Sequence, residues 1–171
     1  MDIIFFYLNN EVHNSTLIEV ISDLLELPSN NIRVTNDYKI ADNFFYTTQG
    51  QNLELLIEKM EMDEGEFRFY VCIYGNINKN SKLWKSFDKM TNSLKQDFGI
   101  RFLKKLSVRL NVDVLTEGFS NSYYYESNSP YDWILIKNGN DFEVKVYANL
   151  IIDWGERTIA PKIERKEKSR K

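Results

Sequence analysis

The chain has 171 residues, of which 43% are hydrophobic and 14% aromatic, and it carries a formal net charge of −3. That content is too apolar for a disordered protein, and the length suits one domain with a core of its own. A single cysteine, Cys72, excludes an internal disulfide, and a single histidine, His13, leaves neither a Ser-His-Asp triad nor a histidine-built zinc site to assemble.

Met1 to Leu8 reads as an opening strand ended by Asn9-Asn10. Its apolar run, Ile3 to Leu8, is too short to span a bilayer or to act as a secretory signal, so the expectation is a cytoplasmic protein with no membrane partner. Leu17, Ile18, Ile21, Leu24 and Leu25 recur at helical spacing and predict a helix over 15–26, with Thr16 and Glu19 placed as a capping box and Pro28 closing the segment. Short strands follow at Ile32–Val34 and Phe44–Thr48, set off by the turn formers Asn36-Asp37 and Gln49-Gly50. Leu53, Leu56, Ile57 and Met60 would fit a helix, but the turn Asp63-Glu64-Gly65-Glu66 and the strand Phe67–Tyr74 after it favour a hairpin, so 53–62 is assigned as strand. Within Tyr70-Val71-Cys72-Ile73 the cysteine is placed as a small buried hydrophobe.

Lys79 to Met90 reads as a second helical stretch, with Leu83, Trp84, Phe87 and Met90 inward and Lys82, Lys85 and Lys89 outward. It leads through a break near Gly99 into a helix ending at Leu110, where the stripe Phe102, Leu103, Leu106 and Leu110 is opposed by Lys104, Lys105 and Arg109. A strand over 111–116 follows, ended by Glu117-Gly118, and then the runs Trp133–Ile136 and Phe142-Val144-Val146 flank Asn138-Gly139, the strongest short-range hairpin signal. Leu150–Ile152 is read as further strand. From Lys162 onward Ile163 is the one apolar residue, so the chain divides into a domain over 1–161 and a charged, fraying tail over 162–171. The expected architecture is α+β, a single domain whose mostly antiparallel sheet carries two or three helices on one face.

The mild net charge hides a polarity. Residues 1–75 hold 13 Asp/Glu against 4 Lys/Arg, or −9, while residues 76–171 hold 12 against 18, or +6. A like-signed region of this size can steer an oppositely charged partner, although two ordinary solvated faces would give the same count. The sharpest catalytic candidate is Asp132 with Glu143-Val144-Lys145, the pattern with which metal-dependent nucleases of the PD-(D/E)xK type hold Mg²⁺ between two carboxylates and place a water with the lysine. The plainer reading is a half-buried strand whose solvated side is charged. Asp63, Glu64 and Glu66 read as an acidic hairpin tip sooner than a cation site, and Tyr123-Tyr124-Tyr125 with Glu126 as an interface loop sooner than a base-stacking platform, which the acidity of the chain opposes.

An acidic chain without a catalytic constellation, running through helix, strand Asn111–Thr116, loop and hairpin Tyr131–Asn149, resembles the small immunity proteins that neutralise bacterial polymorphic or contact-dependent growth-inhibition toxins. The resemblance covers chiefly residues 102–153. It implies a protein–protein inhibitor with no catalysis and no cofactor, whose partner is a cognate toxin domain, expected to be a basic nuclease. The expected contact residues are Asp63, Glu64, Glu66, Tyr123, Tyr124, Tyr125 and Glu126, because carboxylates select a cationic surface and rigid aromatics supply contact area.

Overall fold

Strand β1 (Asp2–Leu8) runs through the middle of the sheet because both of its faces are apolar: Ile4, Phe6 and Leu8 enter one core, Phe5 and Tyr7 another. The computed structural model describes residues 2–37, 44, 52–63, 65–76, 85–87, 89–117, 131–147, 162–163 and 168–169. Their strands form one sheet in the order β2 (Ile32–Thr35), β3 (Leu55–Glu61), β4 (Phe69–Gly75), β1, β5 (Val114–Glu117), β6 (Tyr131–Lys137), β7 (Asn140–Tyr147) and β8 (Lys162–Ile163), with β9 (Lys168–Ser169) also pairing with β7. Among the described pairings β2 with β3 is parallel and the others are antiparallel. This is the α+β, mostly antiparallel, single-domain arrangement expected from the hairpin signals.

Parallel strands need crossovers, and among the described residues two long helices lie in them. Helix α1 (Asn14–Leu25) connects β1 to β2, which runs the same way three strands along; α2 (Asn92–Leu110) lies between β4 and β5, which flank β1. Leu17, Val20 and Ile21 of α1 and Phe102, Leu103 and Leu106 of α2 share one core with Ile4, Phe6, Ile57, Val71, Val114 and Ile134, so both helices cover the same face. The opposite face carries its own cluster, rich in rings: Tyr7, Phe67 and Trp133 are almost fully buried there, with Tyr7 lying 5.3 Å from Tyr70 and 5.8 Å from Trp133 between ring centroids.

The two helices end alike. The N–H of Leu27 donates to the carbonyl of Ser22 and that of Val112 to Ser107, while Glu26 and Asn111 take positive φ of 55° and 52°; these are Schellman closures with buried Leu27 and Val112 as their hydrophobic contacts. In each, the serine hydroxyl also donates back, Ser22 to the Leu27 carbonyl and Ser107 to that of Val112. At the start of α1 the capping box is not used: His13 is the N-cap, without a side-chain cap, and Thr16 lies inside the helix. Nor does the chain break at Gly99, which sits buried in an unbroken α2 that begins after Thr91, whose hydroxyl accepts from the N–H of Leu94 at 3.3 Å. The Thr91 N-cap fixes where the helix starts, and a glycine within it costs only about 1 kcal/mol, which packed turns on either side offset.

Of segment 53–62, Leu55–Glu61 form strand β3, paired along its length with β4. The hairpin of β6 and β7 turns at Asn138 and Gly139, with φ of 48° and 76°, as Asn-Gly predicts. Of the expected strand 44–48, Phe44 is described, buried and in a 3₁₀ turn; of the helical stretch 79–90, residues 85–87 are helical with Phe87 buried; strand 150–152 lies outside the described residues. The two described pieces of the stretch expected to fray, β8 and β9, lie along the outer edge of β7, with Ile163 packed against the ring-rich cluster.

Candidate functional site

The sheet order converts the charge polarity of the sequence into one of space. Every described strand from residues 2–75 lies on one side of the β1–β5 seam and every strand from 114–169 on the other. At the acidic end, the β3–β4 connection presents Asp63 and Glu66, both exposed and neither ion-paired with a described residue, while Glu64 lies outside the described residues. The tip is seated: Met62 and Phe67 on either side are buried in the ring-rich cluster, Gly65 turns at φ of 117°, and the N–H of Met62 donates to the carbonyl of Arg68 at 2.6 Å. Such a tip offers its carboxylates with little ordering left to do on binding. Further exposed carboxylates are Glu19 on α1 and Glu26 just past its C-terminus. The aromatic half of the expected contact set, Tyr123, Tyr124, Tyr125 and Glu126, lies outside the described residues.

The cations of α2 are partly committed to its own fold. Lys104 Nζ lies 2.5 Å from Asp141 Oδ1 of β7, and Arg109 Nη2 lies 2.7 Å from Asp23 Oδ2 of α1. Beside the first pair, Gln96, Asp97, Ile100, Arg101 and Asp141 line an open cleft of about 380 Å³. The nuclease-like residues are on the strands next to it. Asp132 is registered against Lys145 and Ile134 against Glu143, which puts all three positions on the helix-covered side of the sheet, since Ile134 belongs to the core under the helices. Phe142, Val144 and Val146 take the other side. The same register also explains the residues without chemistry, because opposite charges directly across two antiparallel strands stabilise the pair. Among the described residues no group of three or more His, Cys, Asp or Glu is arranged to hold a metal ion.

Composition gave no hint of a second polar feature, on the ring-rich face of the acidic end. Glu58 of β3 is 4% exposed, registered against buried Cys72 of β4, and accepts a hydrogen bond of 2.6 Å from the Tyr74 hydroxyl. Burial, then the neighbouring Cys72 and Glu58, push the hydroxyls of Tyr70 and Tyr74 well above the usual tyrosine range, so both remain protonated donors. Cys72 is the buried small residue its setting predicted.

No family model, no characterised protein and no solved structure matches the chain. The site therefore rests on its own geometry: an exposed, pre-seated acidic tip at one end of a polarised sheet, and at the other end a shallow cleft beside registered charges. No described helix is long and apolar enough to cross a membrane.

Proposed function

We propose that this chain is an immunity-type inhibitor that binds a basic toxin domain with the acidic end of its sheet. The observation that carries the proposal is the sheet order, which gathers the strands of the −9 half at one end, where Asp63 and Glu66 stand exposed on a hairpin tip seated in the core. A nuclease must be cationic where it holds phosphate, so an acidic surface can cover that site by complementarity alone, with no chemistry of its own. The Tyr123–Glu126 loop is assigned the aromatic anchors of the same contact.

Co-expression with the product of the neighbouring gene, followed by pull-down and a growth assay, tests the proposal; failure to form a complex and to relieve toxicity abandons it. Reversing Asp63 and Glu66 to lysine should slow association and flatten its salt dependence, whereas Tyr124→Ala should chiefly speed dissociation.

The β6–β7 register favours a second reading, a Mg²⁺-dependent nuclease in which Asp132 and Glu143 hold the ion and Lys145 positions water. Purified protein would then cut DNA or RNA only with Mg²⁺, and Lys145→Ala would abolish cutting without unfolding the chain. Absence of any Mg²⁺-dependent cleavage removes this reading.

A further inference from the structure

Helices α1 and α2 lie together on one face of the sheet, and the charge polarity of the chain is repeated between them. The charged residues of α1 and its C-cap are all acidic, Glu19, Asp23 and Glu26, and all three are exposed. On α2, Lys104 reaches Asp141 of β7 and Arg109 reaches Asp23 of α1, which fixes the two flanks of the helix. Between these flanks the outward line carries Arg101, Lys105 and Val108, with Leu94 two turns before Arg101. The one carboxylate of α2, Asp97, belongs to the β7 flank, where it lines the cleft with Asp141.

The outward groups of this layer are left open. Neither Arg101 nor Lys105 is ion-paired with a described residue, and neither is Glu19 or Glu26. Leu94 and Val108, 50% and 58% exposed, are the large hydrophobic side chains in the open among the described residues, and both lie on the outward line of α2. The lengths of the two helices also match. With 12 residues α1 is about 18 Å long, and the fourteen positions of α2 from Leu94 to Val108 span about 21 Å, so an α1 laid along α2 reaches from one to the other.

We propose that the two-helix layer is the interface of a symmetric dimer, in which α1 of each copy lies on α2 of the other. A two-fold axis along the seam where Arg109 meets Asp23 brings Glu19 and Glu26 over Arg101 and Lys105 of the second copy, and the same contact recurs on the other side of the axis. Because the layer is its own complement, the contact closes on itself and makes a dimer, not a filament. Acidic and cationic side chains without described ion pairs supply the attraction, and Leu94 and Val108 supply apolar surface to be removed from water. The hairpin tip with Asp63 and Glu66 is seated in the ring-rich cluster on the other face of the sheet, so the dimer does not depend on what that tip binds.

Sedimentation of the full chain should show a reversible dimer at about 0.05 M salt that is lost at about 1 M, where charges are screened beyond about 3 Å. Glu19→Lys with Glu26→Lys sets cations against Arg101 and Lys105, and Arg101→Glu with Lys105→Glu sets carboxylates against Glu19 and Glu26. Each contact occurs twice, so either pair of changes should weaken association about tenfold. Mixing the two variants restores opposite charges at both contacts, and the mixture should dimerise as the wild type does although neither component does alone. All four positions are exposed, and an unchanged urea midpoint by Trp fluorescence shows that each variant is folded. Leu94→Ser with Val108→Ser leaves every charge in place and should weaken the dimer as well. A wild-type chain that stays monomeric at low salt and high protein concentration, a dimer indifferent to salt or to both reversals, or a mixture that does not recover overturns the proposal.

Discussion

Glu58 is a charged residue type in a position almost closed to water, and Tyr74 makes that tolerable by donating to it. Tyr74→Phe removes this donor from a buried carboxyl, a cost of about 1–3 kcal/mol that chemical unfolding would read. The tyrosines also set a limit on the alkaline side. In the unfolded chain they ionise near their ordinary value of 10.0, whereas folded Tyr70 and Tyr74 resist ionisation. Their contribution is therefore fully present below pH 10 and is lost as pH rises beyond it, because only the unfolded chain gains by releasing the proton. Urea unfolding at a series of pH values from 8 to 11 should show stability falling at the upper end, and falling less steeply in Tyr74→Phe. Gly139 is constrained for a different reason: its φ of 76° favours glycine, and an added Cβ would stand 3.0 Å from Val108 Cγ2. Val108 is 58% exposed and can give way, so the backbone decides, and Gly139→Ala should cost about 1–2 kcal/mol in the same measurement.

At the scale of elements, the two helix ends make a controlled comparison. Both close through a Schellman motif with a serine hydroxyl reinforcing it, but the left-handed position is Asn111 in α2 and Glu26 in α1. Asparagine adopts that conformation at lower cost than glutamate. Glu26→Gly should therefore stabilise the protein by about 1 kcal/mol, while Asn111→Gly should change little; equal effects of the two would show that backbone strain is not what separates them. How much of each element could be read in advance follows from the range of the forces involved. The helix at 14–25 and the hairpin turn at Asn138-Gly139 depend on contacts within a few residues, and both stand where local pattern put them. Thr16 and Glu19 have the spacing of a capping box but lie one turn too late, because burial of Val12 and Leu17 fixes where α1 starts, and His13 falls at the cap. Gly99 has the chemistry of a breaker, but it lies in a helix whose next turn inserts Phe102, Leu103 and Leu106 into the core. Tertiary burial outweighs a local preference of that size.

For the whole molecule the decisive junction is the β1–β5 seam. Only Tyr7↔Leu115 and Leu8↔Val114 are registered across it, yet both hydrophobic clusters continue through it, the Thr116 hydroxyl donates to the Phe5 carbonyl at 2.9 Å, and Asn9 and Asp113 exchange hydrogen bonds. Two cores shared across the seam outweigh a short ladder, so unfolding in urea should be one cooperative transition, with Trp fluorescence and far-ultraviolet circular dichroism superimposing; two separated transitions would mean that the halves fold apart. The polarity belongs to the same scale. Neither the sign nor the size of either half's charge required a structure, but whether the two would intermix in space did.

The α+β class, the strand character of 55–61 and 69–75, the helix over 14–25 and the hairpin of β6 and β7 were legible in the chain alone, because alternation, 3.6-residue spacing and turn chemistry are properties of short windows of residues. Long-range packing set the rest: that β1 and β5 meet, that the acidic strands gather at one end, that Glu58 is buried beside Tyr74, that Asp132 and Lys145 are registered opposite one another, and that residues 162–163 and 168–169 pair with β7. Each of these is a pairing between residues whose sequence separation ranges from about a dozen to more than a hundred. Its free energy comes from surface that becomes buried only when distant segments meet, and no local window of sequence contains it.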